Sequence, residues 1–425
     1  MKSQITLANK RTLQKTNINF IGKEDGFLTM EILLAFSIFT LFAISTFTLE
    51  SSISHLRIWS LKELDSIANA DYADSSLSDY RESWGRNNCD IYLRFDNNSQ
   101  SPVYFPEGID IGGGNVSTDI EARNGIVYLT ADATISAYAD LFIINTIDTA
   151  HPTLVSSLNT GPGVSAIEIA GPYIFLAQSS SVNQLQIIDI HNRSSPQLIS
   201  QLKLPLPTPT TTAPFATSIF YSKGFIYLGT VKWNGAEFTI IDVSNIYNPT
   251  VLGTFETNTK INDIYVNENT AFLASSDTQQ IRILDVTDKS NLVLINSFSP
   301  SGSQTAEGKV LDYWHGGLGF GRSTGGFNIM ANHEVFVFAT SSDFSDIPSY
   351  ISKDIAGGIY GMTMRNDNVF LLTHSTDHEF QIWDSTLSAR ISDISLGIQG
   401  KRMSCDLSNF YFATGDSRGF MLLKL

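Results

Sequence analysis

Few residues in this chain combine a reactive side chain with a suggestive spacing. Asp189, Asp242, Asp285 and Asp384 each end a similar apolar run and could form a ring of catalytic carboxylates. They close equivalent strands, however, and an aspartate there more readily bonds the backbone just ahead of it in an Asx-type turn. His374 and His378 lie four apart and flank Asp377, a spacing that on a helix would make a metal pair. Here they fall in a turn between two apolar runs, 369–372 and 380–382, which favours a solvated loop. The glycine-rich stretch Gly316–Gly321 resembles a phosphate-binding loop, but no Lys-Ser/Thr follows it and no helix is signalled, so it reads as a blade strand. The Pro- and Thr-rich segment 206–214 reads as an extended exposed loop. No catalytic residue, metal ligand set or cofactor site is expected from these signals. Two features remain: a lone Glu31 inside an apolar run, and the only two cysteines, Cys89 and Cys405, which lack zinc-site spacing but could form a single disulfide.

A chain of 425 residues exceeds a single ordinary core, so one long repeat domain or two ordinary domains are expected. The composition, 11% aromatic and 16% charged with 30 glycines, points to an all-β exported protein. The formal net charge is -15. Without residues 1–26, which carry five Lys/Arg and two Asp/Glu, 22 basic residues face 40 acidic ones, or -18. Such a surface repels phosphate backbones, and general nucleic-acid binding is disfavoured.

Residues 1–26 are polar and basic, and Phe27 to Leu49 is apolar apart from Glu31. The apolar run is long enough to span a bilayer. The positive leader places it on the cytoplasmic side, and no small-residue cleavage pattern follows the run, so the bulk of the chain is expected across the membrane and still attached. The sequence Gly26-Phe27-Leu28-Thr29-Met30-Glu31-Ile32-Leu33-Leu34 closely resembles the cleavage and methylation motif of type IV pilins and pseudopilins. The resemblance implies cutting by a prepilin peptidase after Gly26, methylation of the new N-terminal Phe27, and a role for Glu31 in assembly. Glu24 and Asp25 depart from the basic residues often found before the glycine, and the leader is longer than in many relatives. The charge logic agrees with the family role: a carboxylate in an apolar span needs a partner, and the cationic amine of residue 27 in a neighbouring subunit would supply it. From Phe27 to Trp84 there is no Gly or Pro. This predicts a long helix over 27–84, membrane-spanning at 27–49 and amphipathic beyond, with Leu56, Leu61, Leu64, Ala68 and Tyr72 on one face.

After Gly85 the pattern changes to short apolar runs bounded by turn residues. Leu141–Asn145, Leu185–Asp189, Phe238–Asp242 and Ile281–Asp285 align with one another, Phe380–Asp384 is a weaker copy, and a degenerate copy falls near Val335–Phe338. Their terminal Asn/Asp residues are 44, 53, 43 and then 99 residues apart, one period each and finally two. Repeats of this length with several strands each predict a β-propeller. The strand order, and Pro152, Pro196 and Pro249 after the aligned strands, resemble the LVIVD repeat family of propellers over roughly residues 120–425. Seven repeats fit, the last with room for only three strands. A strand from the connector 85–119, within Val103–Ile111, is expected to close it; that closure would bring Cys89 towards Cys405.

The expected protein is therefore a long N-terminal helix followed by a seven-bladed all-β propeller. It reads as a minor pilin-like filament subunit that displays a binding or adhesion head, sparsely or at a tip. The alternatives are a pseudopilin of a type II secretion-like system and a membrane-anchored propeller enzyme. Expected partners are the prepilin peptidase, other pilin subunits through the N-terminal helix, the bacterial inner membrane before assembly, and an unidentified surface ligand or protein. The location would be a single-pass cytoplasmic-membrane protein with its propeller outside the cytoplasm, then an extracellular pilus or periplasmic pseudopilus. N-terminal sequencing of the mature protein should begin at Phe27, and Glu31→Ala should leave cleavage intact while reducing incorporation into filaments. A mature chain that still begins at Met1 would contradict the resemblance.

Overall fold

Runs of Val, Ile, Phe and Tyr separated by Gly, Asn and Asp turns make a chain of short strands, because β-branched and aromatic side chains pack well on a pleated surface and turn residues break it. The computed structural model describes residues 109–424 apart from 113–114, 134–137, 162, 208–212, 301–304, 325–332, 340–343, 345, 347–348, 366 and 408. It also describes the backbone of two short strands, β1 (Asn88–Cys89) and β2 (Val103–Phe105). The leader 1–26, the helix expected over 27–84, and Gly26, Phe27 and Glu31 lie outside the described residues.

The strands form seven sheets, the blades of a propeller. Blade 1 is β3 (Asn115–Arg123), β4 (Ile126–Ala133), β5 (Leu141–Asn145) and β6 (Thr153–Leu158). Blade 2 is β7 (Val164–Ala170), β8 (Tyr173–Gln178), β9 (Leu185–Asp189) and β10 (Gln197–Leu202), and blade 3 is β11 (Ala216–Ser222), β12 (Phe225–Thr230), β13 (Phe238–Asp242) and β14 (Thr250–Phe255). Blade 4 is β15 (Ile261–Asn267), β16 (Thr270–Ser275), β17 (Ile281–Asp285) and β18 (Val293–Phe298), and blade 5 is β19 (Gly308–Trp314), β20 (Gly317–Arg322), β21 (Val335–Ala339) and β22 (Tyr350–Lys353). Blade 6 is β23 (Ile359–Arg365), β24 (Asn368–Thr373), β25 (Phe380–Asp384) and β26 (Arg390–Ile394). Blade 7 has only β27 (Arg402–Leu407), β28 (Asn409–Ala413) and β29 (Phe420–Lys424) from the end of the chain. Its outer strand is β2, antiparallel to β29, with Tyr104 opposite Leu423. The first blade starts at Asn115, upstream of the boundary at 120 that the repeats suggest, and β3 carries a bulge between Ser117 and Ile120.

The first strand of each blade touches the first strands of its neighbours, and β27 touches β3, so these inner strands form a ring around an axial channel. Antiparallel connection gives the ring two faces. One carries the turns between first and second strands and the loops between third and fourth; we call it the hairpin face. The other, the crossover face, carries the remaining loops and the crossings between blades. β1 lies against the free, axial edge of β27, parallel to it, with Asn88 beside Asp406 and Cys89 beside Leu407. Those two partners end β27, so the N-terminal segment meets the propeller near its axis on the hairpin face.

Between blades the core is aromatic and aliphatic, with Phe238, Phe272, Phe336 and Phe370 fully buried; a large apolar side chain so placed contributes about 1.5–3 kcal/mol. Close packing explains the glycine run of blade 5. A Cβ on Gly319 would meet Met362 Sδ at 2.5 Å, and one on Gly321 would meet Ile359 Cβ at 2.6 Å. The stretch is a blade strand pressed against blade 6.

Polar side chains repeat with the blades. The Asn or Asp that ends the third strand accepts a backbone N–H two residues on, at 2.9 Å for Asn145 and 2.8 Å for Asp189, Asp242 and Asp285. Asp384 accepts from Ser388 instead. These are Asx turns on the hairpin face, and the recurring aspartates do not converge on a common centre. Beyond them, Ser156 and Ser200 donate to carbonyls of the following blade, Arg193 O and Ile246 O.

A second polar position precedes the third strand and holds the crossing to the next blade. Asp140 accepts from Thr160 N–H, Gln184 from Leu204, Glu237 from Thr257, Glu334 from Ile355 and Glu379 from Leu396. Burial pushes the Glu334 carboxyl up to about 7 and Asp140 up to about 6, against the hydrogen bonds they accept. Both groups thus hold a proton more tightly folded than unfolded. Their contribution to stability is fully present below the ordinary carboxylate range and is lost as pH rises through 6 and 7. Since Gln184 does the same work in blade 2, Glu334→Gln should fold normally and flatten this dependence. The unfolding midpoint of the parent should fall between pH 5 and pH 8, and that of the variant should fall less; identical profiles would contradict the assignment.

Candidate functional site: the axial channel and its crossover mouth

An inner strand has one unpaired edge, and its backbone groups must find partners in the channel wall. The preceding blade supplies them. Asp119 Oδ2 accepts Ile167 N–H at 3.0 Å, Asp263 Oδ2 accepts Leu311 N–H at 2.8 Å, and Asp312 Oδ2 accepts Met364 N–H at 2.7 Å. Thr118 and Thr217 donate to Val164 O and Ile261 O, both at 2.6 Å, and Asn262 Nδ2 donates to Gly308 O at 2.6 Å. These side chains tie blade to blade. Their chemistry is largely spent on the fold, including that of Asp312, whose buried neighbour Arg365 lies 3.7 Å away and stacks 4.6 Å over Trp314.

Among the described residues the channel holds a chamber of about 40 Å³ lined by Asp119, Glu121, Glu168, Asp263, Arg402 and Ser404, among others. At about 10–15 Å³ per water it holds about three. A larger ligand does not fit inside that chamber and would meet the channel only at a mouth. On the crossover face that mouth is spanned by Arg402, which leaves blade 7 and donates to Asn262 O of blade 4 at 2.7 Å and to Lys309 O of blade 5 at 3.2 Å. Lys309 pairs with Glu307 at 2.5 Å and lies 5.9 Å over the ring of Tyr360. The other side of this rim is a stack of Tyr360 on His374, with ring centres 3.5 Å apart. Burial lowers the proton affinity of His374, and its Nε2 donates to Gly400 O.

His374 therefore faces blade 7, whereas His378 faces Asp393 at 3.4 Å, and the two histidines do not act as a pair. Among the described residues no group of three His, Cys, Asp or Glu is arranged to hold a metal, and no helix is long and apolar enough to cross a membrane. Cys405 is fully buried in β27 and disulfide-bonded. The one other cysteine of the sequence is Cys89, whose backbone lies in β1 and whose side chain is outside the described residues. Within the segment 206–214, residues 208–212 lie outside them too, and Ala213 is buried.

Sequence reasoning missed the mouth. Its signal is a registered comparison of the inner strands, in which Arg402 occupies the place of Ala166, Ser218, Asp263, Val310 and Gly361. A long cation where the other inner strands carry shorter side chains reaches further into or over the channel than any of them.

The LVIVD repeat family model matches residues 163–203, 216–257 and 260–299, which cover the strands of blades 2, 3 and 4. No curated protein matches the sequence. Among solved structures, Kuenenia stuttgartiensis hydrazine synthase is similar at 9% identity with a TM-score of 0.56, covering 78% of this chain and 99% of that one. A chain of the mitotic checkpoint complex is similar at 12% identity with a TM-score of 0.54, covering 79% and 94%. The WD40 propeller domain of Doa1 is similar at 10% identity with a TM-score of 0.52, covering 76% and 97%. At such identities the likeness is one of fold, and the same fold serves unrelated functions. The chain carries LVIVD repeats built into a seven-bladed β-propeller.

Proposed function

We propose that the propeller is a binding head that presents its crossover face to a partner. The observation that carries this reading is the position of β1 at the axis on the hairpin face. β1 takes up the axial edge of β27 at that end, whereas the opposite mouth is rimmed by side chains that a partner can use. The finer reading is a minor pilin-like filament subunit, sparse or at a tip; its support is the Gly26-Phe27 junction with Glu31 five positions into the mature chain. A head of about 300 residues would not repeat easily along a tightly packed shaft.

The pairing of Cys89 with Cys405 belongs to the same reading, since export places both where oxidation is permitted. Its support is the disulfide state of Cys405 and the parallel course of β1 beside β27. Such a bridge would fasten the anchor to the last blade and contribute about 2–4 kcal/mol. Non-reducing peptide mapping of the exported protein should recover the two segments linked; free thiols at both positions would remove the fastening.

The display itself is tested on intact cells that carry a pilus assembly machinery, with an epitope inserted at Val182, an exposed residue in a crossover-face loop. Antibody should label the cell surface and sheared filaments. Label confined to the periplasm would favour a pseudopilus, and label confined to the cytoplasm would end the reading.

A further inference from the structure

The crossover mouth gathers positive charge on a chain whose net charge is -15. Lys260 stands just ahead of β15 in blade 4, Lys309 in β19 of blade 5 and Arg402 at the start of β27 in blade 7. All three are partly buried, and Lys401 is exposed beside Arg402. One carboxylate, Glu307, pairs with Lys309. Arg402 is held by two backbone carbonyls, and Lys260 makes no ion pair among the described residues. Burial first, then repulsion from Lys309 and Arg402, holds the Lys260 ammonium below its ordinary range, with Glu307 opposing.

Like charges brought together at a partly desolvated rim repel one another, and a bound anion relieves that repulsion. The acids below the rim set the depth at which it binds. Asp119 and Asp263 line the chamber with Glu121 and Glu168, and the space there is about 40 Å³. Negative walls and small volume both exclude an anion from the interior. The rim, with two partly buried lysines and an arginine fixed across the opening, offers charge-assisted hydrogen bonds to oxygens arriving from outside.

We propose that the crossover mouth, through Lys260, Lys309 and Arg402, binds an oxyanion group (carboxylate, phosphate or sulfate) of the head's ligand. This rests on the reading of the propeller as a binding head with that face free. It adds the chemical class of the ligand and the residues that take it.

The test is titration calorimetry on the purified full chain with citrate, inorganic phosphate and inorganic sulfate as separate probes. At least one should bind saturably at one site per chain in 20 mM NaCl, and raising the salt to 300 mM should weaken it about tenfold or more, since exposed charges are screened over about 8–10 Å. Which probe binds identifies the oxyanion. The double variant K260Q/K309Q should lose tenfold or more in affinity while keeping the parent's unfolding midpoint, and K223Q on the hairpin face should bind like the parent. Absence of saturable binding by all three probes, or unchanged binding by the folded double variant, would overturn the proposal. Surface labelling of cells is read independently, so failed anion binding with normal display would end this inference and leave the binding-head reading standing.

Discussion

The structure depends on the antiparallel pairing of β2 with β29. A ring of blades is stable only if the last blade is complete and presses on the first, and the end of the chain supplies three strands where four are needed. The fourth comes from before the first repeat, with Val103, Tyr104 and Phe105 opposite Lys424, Leu423 and Leu422. Through that sheet the two ends of the repeat array are held together. Blade 7 then meets blade 1 through a polar tie between their inner strands, in which Ala122 N–H donates to Ser404 Oγ at 3.1 Å. The Tyr411 hydroxyl also lies 3.1 Å from that of Thr146. Without the borrowed strand, β29 would be a bare edge, and the contacts that depend on blade 7 would lose their support.

The same segment gives the ring a direction. β1 reaches the axis on the hairpin face beside Asp406 and Leu407, so the two mouths of the channel are unequal. One is approached by the chain itself, and the other is spanned by Arg402 under a rim of lysines. Charge is layered along the axis, with cations at the crossover mouth and carboxylates in the chamber. Much of the carboxylate layer is structural, because it satisfies the backbone edge of each following blade.

Much of this fold was legible in the sequence because the repeats are short and each strand signals locally. The third strands announce themselves by an apolar run ending in Asn or Asp, as in Phe238–Asp242, and even the degenerate Val335–Phe338 falls within β21. The Asx turns follow from the same residues. Two kinds of fact were harder to read. Gly319 and Gly321 look like a nucleotide loop until blade 6 is in place, since only Met362 and Ile359 across the interface explain them. The mouth was invisible for a related reason: Lys260, Lys309 and Arg402 are distant in sequence and meet only when blades 4, 5 and 7 surround one axis. Repeat comparison finds what blades share, whereas a site on the axis is built from where they differ.

The central claim, that a strand from before the repeats closes the ring, is tested most directly by hydrogen exchange on the full chain under native conditions. If β2 completes blade 7, amides in peptides spanning 103–105 and 420–424 exchange as slowly as those in the sheet of blade 4. Exchange in both peptides at the rate of an exposed loop would contradict the account.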